Sequence, residues 1–81
     1  MKFNLSIHAK DVMAARSIVE EWVYSTIDNP SFTVNVNEQE THYFSTIPEN
    51  EDRCLKVVVN PLKYLIVTAY FDRKMQKRGC K

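Results

Sequence analysis

Glycine is almost missing from this chain: among 81 residues the one example is Gly79, and proline occurs three times. No Pro/Gly/Ser linker, internal repeat or low-complexity tract divides the sequence, so one domain with one core is expected, and its turns must be made by Asn, Asp and Pro. No apolar run approaches the roughly 20 residues that span a bilayer, which argues against a membrane-spanning helix. The opening Met1-Lys2-Phe3-Asn4 lacks the apolar core of a signal peptide, and a soluble, cytoplasmic protein is the expectation. Cysteine is scarce too. Cys54 and Cys80 allow at most one bridge, and because Cys80 sits in a polar tail of loosely fixed geometry, both are read as free thiols. His8, His42, Cys54 and Cys80 occur singly, with no C-x-x-C or H-x-x-x-H pair, so neither a metal nor another cofactor is expected.

What is present is unevenly distributed. Residues 1–52 carry three basic and nine acidic side chains, whereas residues 53–81 carry eight basic and one acidic, so the halves stand at −6 and +7. That asymmetry points to an anionic partner for the C-terminal half, nucleic acid being the usual one, although a solvated basic tail gives the same count. Hydrophobic residues make up 44% of the chain, enough for a core, but a domain this small buries only about 60–65% of its unfolded surface and its stability margin is small.

Phe3 to Ile7 reads as a short strand or extended lead-in, after which Ala9, Val12 and Met13 begin a helical spacing. Ser17-Ile18-Val19-Glu20 has the form of a capping box, which favours two helices with a break near Arg16. If the helix is continuous instead, Arg16 joins the stripe of Val12, Val19 and Val23. The second helix gathers Ile18, Val19, Trp22, Val23 and Ile27 on one side and ends at Asp28-Asn29-Pro30. From Phe32 the period becomes two, and further β-prone runs occupy Thr41–Ile47, Arg53–Val59 and Tyr64–Phe71. The expected fold is therefore α+β, an N-terminal helix or helix pair packed on a four-stranded antiparallel meander, with residues 1–72 as the domain and residues 73–81 as a basic C-terminal tail.

In the last two strands one parity is wholly apolar: Leu55, Val57 and Val59, with Leu65, Val67, Ala69 and Phe71, should pack under the helices. The other parity, Cys54, Lys56, Val58, Asn60 and Tyr64, Ile66, Thr68, Tyr70, is mixed and expected to be wet. Lys56, Thr68 and Tyr70 put a cation, a hydroxyl and a phenol on adjacent strands, a set that suits phosphodiester binding or transfer, and equally a set of good strand residues beside a solvated lysine. His8, at the start of the first helix, has the chemistry of a general acid or base, though a lone histidine is commonly structural. Arg16 suits either a phosphate clamp or a pair with Glu20 or another acid. Arg73, Lys74, Lys77, Arg78 and Lys81 make the tail the strongest electrostatic feature, suited to nucleic-acid backbone contacts or to disorder in solvent. Arg53, Tyr64, Arg73 and Lys74 are the candidate RNA contacts, with Tyr64 and Tyr70 as stacking surfaces near the cations.

The segments Ser6-Ile7-His8-Ala9, Arg16-Ser17-Ile18, Glu21-Trp22-Val23, Leu55 to Val59 and Ile66 to Arg73 form an ordered pattern. It resembles that of a small bacterial family of domains of unknown function, which begins S-x-H-A … R-x-I-x-x-E-W-V and ends V-T-A-Y/F-x-D-R. That family in turn resembles the barnase, EndoU, colicin and RelE group of ribonuclease toxins. The resemblance implies helices on an antiparallel sheet and metal-independent RNA cleavage. It places His8, Arg16, Thr68 and Tyr70 at the family's patterned polar positions, and Lys56 where an arginine is common. His8 would then serve as acid or base, Arg16 and Lys56 as charge on the phosphorane, Tyr70 as hydrogen-bond donor or second proton relay, and Thr68 as an orienting group. A small antitoxin partner is implied as well, and the alternative is a non-catalytic RNA- or protein-binding member of the same fold.

Overall fold

The computed structural model describes residues 3–80, so Met1, Lys2 and Lys81, the last a cation of the basic tail, lie outside the described residues. The elements run β1 (Asn4–Leu5), α1 (Ile7–Ala15), α2 (Glu20–Asp28), β2 (Phe32–Asn37), β3 (Glu40–Ile47), a 3₁₀ turn at Pro48–Asn50, β4 (Arg53–Asn60), β5 (Leu65–Phe71) and α3 (Arg73–Lys77). The sheet order is β1-β5-β4-β3-β2. Strands β2 to β5 form the expected antiparallel meander, but the two residues of β1 add a fifth strand parallel to β5, so the sheet is mixed. Of the two readings of Phe3–Ile7, the short strand holds over Asn4–Leu5; its parallel pairing with β5 is long-range and was not part of the expected meander. A third helix follows the sheet, so the helices are not confined to the N-terminal part.

Ser6 fixes the start of α1 twice over. Its Oγ accepts from the Ala9 N–H at 2.9 Å, capping the helix, and donates to the Val67 carbonyl at 3.0 Å, tying the cap to β5. The helix ends in a Schellman turn: Ile18 N–H donates to Met13 C=O at 2.8 Å and Ser17 N–H to Ala14 C=O at 3.4 Å, with Ser17 left-handed at φ +56°. Ile18 and Met13, the two ends of that turn, are both buried in the core. The expected break near Arg16 is therefore present, while the capping box is not. Ser17 closes α1 instead of opening α2, and α2 starts from Val19, whose side chain caps nothing. Glu20 and Glu21 favour that helix start through its dipole, and Asn29 ends the helix ahead of Pro30.

Alternation locates the main core on one side of the sheet. Leu55, Val57 and Val59 of β4 share the core cluster with Ala9 and Met13 of α1, Ile18 of the turn that follows it and Val23 of α2. On β5 the apolar parity is interrupted. Val58 pairs with Thr68 but Val59 with Ile66, so Val67 is an extra, bulged residue. The bulge turns Ile66 into the core and leaves Val67 36% exposed, which corrects the expectation for both residues. On α2, Thr26 takes a buried place by returning its hydroxyl to the Trp22 carbonyl at 2.7 Å, while Val19, expected on the apolar stripe, is exposed.

The second face of the sheet is dry at one end. Phe44, Cys54 and Cys80 form a separate buried cluster, with Phe32 and Met75 packed against it, and the Phe32 and Phe44 rings stack at 4.4 Å. The segment beyond β5 builds this cluster: Asp72 caps α3 by accepting from Lys74 N–H and Met75 N–H, and α3 itself closes in a second Schellman turn. Cys80 N–H donates to Met75 C=O at 2.7 Å and Gly79 N–H to Gln76 C=O at 3.0 Å, with Gly79 at φ +72°. That turn aims Cys80 at Cys54, and the two form a disulfide with their Cα atoms 5.4 Å apart. The free-thiol reading is thus corrected, because a helix and its capping turn fix the geometry that tail composition left open. Elsewhere the turns are made as expected: the Asn37 carboxamide accepts from Gln39 N–H, and that of Asn60 from Leu62 and Lys63 N–H.

Candidate functional site

The end of the sheet where β4 starts and β5 stops carries an open groove of about 760 Å³, lined by Arg16, Glu51, Arg53, Phe71, Arg73, Gln76 and Lys77. The four cations arrive by three local devices. Arg16 is the C-cap of α1, held there by the Schellman turn at Ser17. Arg53 is the first residue of β4, directly after the left-handed pair Glu51 and Asp52. Arg73 and Lys77 stand one helical turn apart on α3. Arg16 and Lys77 both sit at helix C-termini, where a cation is favoured by about 0.3–1 kcal/mol, so the folding of α1 and α3 supports the charge cluster.

Four cations face one carboxylate here, leaving three positive charges uncompensated. Glu51 approaches Arg53 at 3.6 Å, but both side chains are well exposed and such a pair is worth little. Phe71 forms the apolar wall, half-buried, with its ring edge against Trp22 at 6.1 Å. Three guanidinium groups that line one groove with a half-buried aromatic ring can hold phosphate oxygens bidentately beside an apolar wall.

The structure does not gather the other candidate residues at this groove. Lys56 and Tyr70 are cross-strand partners, as expected, but on the face opposite Leu55 and Val57. The Lys56 ammonium lies over the Tyr70 ring at 5.3 Å and the Phe44 ring at 5.9 Å, a pair of cation–π contacts. Thr68 is half-buried two residues along β5 from Tyr70. His8 is exposed in the first turn of α1, eight positions before Arg16, which is about 12 Å along the helix axis. Tyr64 lies at the β4–β5 turn, the other end of the hairpin from Arg53 and Arg73, about 23 Å away at the rise of a strand. Its ring faces Phe3 at 6.1 Å. Lys74 is exposed on α3 away from the groove lining.

Arg16, Arg53 and Arg73 are thus the three candidates that the fold brings together. Sequence reasoning named Lys77 only as one of the tail cations and missed Phe71, Gln76 and Glu51 as lining residues. The available signal was Phe71 at the last position of a strand, two residues before Arg73, where a core residue reaches the sheet's open end.

A family model described as domain of unknown function (DUF4258) matches residues 5–71. The matched stretch contains Arg16, Arg53 and Phe71 and stops before α3. No curated protein and no solved structure matches the chain. No helix among the described residues is long and apolar enough to cross a membrane.

Proposed function

We propose that this chain, which belongs to the DUF4258 family, binds the phosphate backbone of single-stranded RNA in the groove between α1, β5 and α3, and does so without cutting it. The observation that carries the reading is the convergence of Arg16, Arg53, Arg73 and Lys77, from three separate segments, around the half-buried ring of Phe71. Sequence-distant cations that meet at one apolar wall suit a polyanion with stackable bases better than they suit a compact anion. What supports binding over transfer is the scatter of the proton-handling groups. Metal-independent cleavage needs an acid and a base within hydrogen-bond reach of one phosphate, and neither His8, about 12 Å along α1 from Arg16, nor Tyr70 is among the residues that line the groove. In this reading the likeness to the ribonuclease toxins reflects retained affinity for RNA, and a small antitoxin, where one exists, competes for the same basic groove.

Fluorescence anisotropy of a labelled single-stranded oligoribonucleotide, titrated at several salt concentrations, tests this. Four phosphate contacts give a slope of log K against log salt of roughly −2.8, at about 0.7 per contact for single strands. Arg16→Gln and Arg53→Gln each reduce its magnitude by about 0.7, whereas Lys63→Gln, at the far end of the β4–β5 hairpin, leaves it in place. Absence of salt-dependent binding would sink the proposal. Cleavage of total RNA in metal-free buffer, lost in His8→Ala and Tyr70→Phe, would replace it with an endoribonuclease.

A further inference from the structure

We infer that the Cys54–Cys80 disulfide is a redox clasp that completes the groove by holding α3 on the sheet, so that the thiol–disulfide state of this pair sets RNA affinity. The inference rests on the RNA-binding reading for its consequence and on the fold for its mechanism.

α3 supplies Arg73, Gln76 and Lys77, including two of the four groove cations. Yet it is five residues long, far short of what sustains a helix in water, and none of its residues is fully buried. Its non-covalent attachments are few: Met75 is half-buried against the Phe44 cluster, and the preceding Asp72 N–H donates to the Cys54 carbonyl at 2.9 Å. Among the described residues no ion pair joins α3 to the sheet. The covalent link is therefore the principal tie. It is set up by the capping turn of α3, where Gly79 and Cys80 are both left-handed, and it ends on Cys54, the chain neighbour of Arg53. One end of the clasp thus adjoins Arg53 on β4, and the other is the C-terminal turn of the helix that carries Arg73 and Lys77.

Both cysteines are nearly sealed, at 1% and 2% exposure, so attack by a thiol waits on local opening of α3. A low-molecular-weight thiolate then attacks one sulfur, forming a mixed disulfide and releasing the other as a thiolate, which takes a proton. A second thiol displaces the remaining cysteine. Two thiols become one disulfide, and the protein gains two electrons and two protons. With the clasp open, α3 leaves the sheet and carries Arg73 and Lys77 with it. In a reducing compartment the groove stays half-built, and in an oxidising one it is complete.

The test compares the oxidised chain, the dithiothreitol-reduced chain and Cys80→Ser by two readouts, with thiol titration under denaturing conditions to verify each state. Hydrogen exchange is expected to show the Cys80 and Gly79 amides protected only in the oxidised chain, while the Val57 amide, in the central strand, stays protected in all three and confirms that the domain remains folded. The salt slope for the oligoribonucleotide is expected to fall from roughly −2.8 to roughly −1.4 on reduction and in Cys80→Ser, as two phosphate contacts are lost. Equal protection of residues 79 and 80 in all three forms would overturn the clasp, as would two titratable thiols in chain treated with a disulfide oxidant. Equal slopes in forms that do differ in exchange would overturn its control of binding. If the oxidised chain binds no RNA at all, the RNA reading and the control of binding both fall, and exchange alone decides whether the clasp holds α3.

Discussion

Ser17→Gly is expected to stabilise the domain. Ser17 occupies the left-handed C′ position of the α1 Schellman turn at φ +56°, its side chain is exposed, and it makes no side-chain hydrogen bond among the described residues. An L-residue held in that region costs about 1–2 kcal/mol relative to glycine. Glycine returns part of the gain because it has more freedom to lose from the unfolded chain, about 0.4–1 kcal/mol. The net is a gain of roughly 0.5–1 kcal/mol, which for a domain of this size raises Tm by about 2–8 °C. Ser17→Ala is the control that separates the two roles open to this serine. If Ser17 closes α1, alanine keeps the same backbone strain and Tm barely moves. If Ser17 instead opened α2 as a capping box, alanine would lose about 1 kcal/mol and glycine would gain nothing. Urea and thermal unfolding of the three proteins, followed by circular dichroism, read the difference. A destabilised alanine variant together with an unimproved glycine variant refutes the assignment and, with it, the account of how Arg16 is held at the groove.

Gly79→Ala is expected to act in the opposite direction, lowering stability by roughly 0.5–1 kcal/mol; no heavy atom lies within 4 Å of an added Cβ, so the backbone angle alone carries the cost. Equal Tm for this variant and the parent would contradict a left-handed Gly79. Val19→Ser supplies the side-chain cap that α2 lacks and should add about 1 kcal/mol in urea unfolding, since Val19 already has the extended backbone of an N-cap. Leu55→Ala removes a fully buried side chain from the main core and should cost about 2–5 kcal/mol, enough to unfold much of a small domain at 37 °C as read by exchange or proteolysis.

Much of the site's charge was legible before the fold was known, because the excess of cations after residue 52 is a matter of counting. Its assembly was not. Arg16 looked like an oddity near an apolar stripe, and its place beside Arg53 and Arg73 follows only once α1 is laid along β5 with its C-terminus at the sheet's open end. Lys56, Thr68 and Tyr70 were correctly placed on one face, since the register is unbroken from Lys56↔Tyr70 to Val58↔Thr68 and the bulge lies beyond it. That the helices cover the other, apolar face was legible as well; the meeting of Arg16 with Arg53 and Arg73 at the sheet's end was not.

Glycine scarcity illustrates the same division. From the sequence it followed that Asn, Asp and Pro would make the turns, and the carboxamides of Asn37 and Asn60 do so because side-chain acceptors two or three residues from an amide act locally, whereas Ser17, Glu51 and Tyr64 take left-handed turn positions that the expectation did not include. The break between the helices, the meander of four long strands and the apolar face of β4 are likewise local patterns, set by periods that each segment carries in itself. Three features needed the whole fold: β1 joining β5, the bulge that exchanges Ile66 and Val67, and the closing of Cys80 onto Cys54. Each is a meeting of segments distant in sequence, decided by the packing and hydrogen bonds available on the partner, and a chain read one window at a time contains no measure of that.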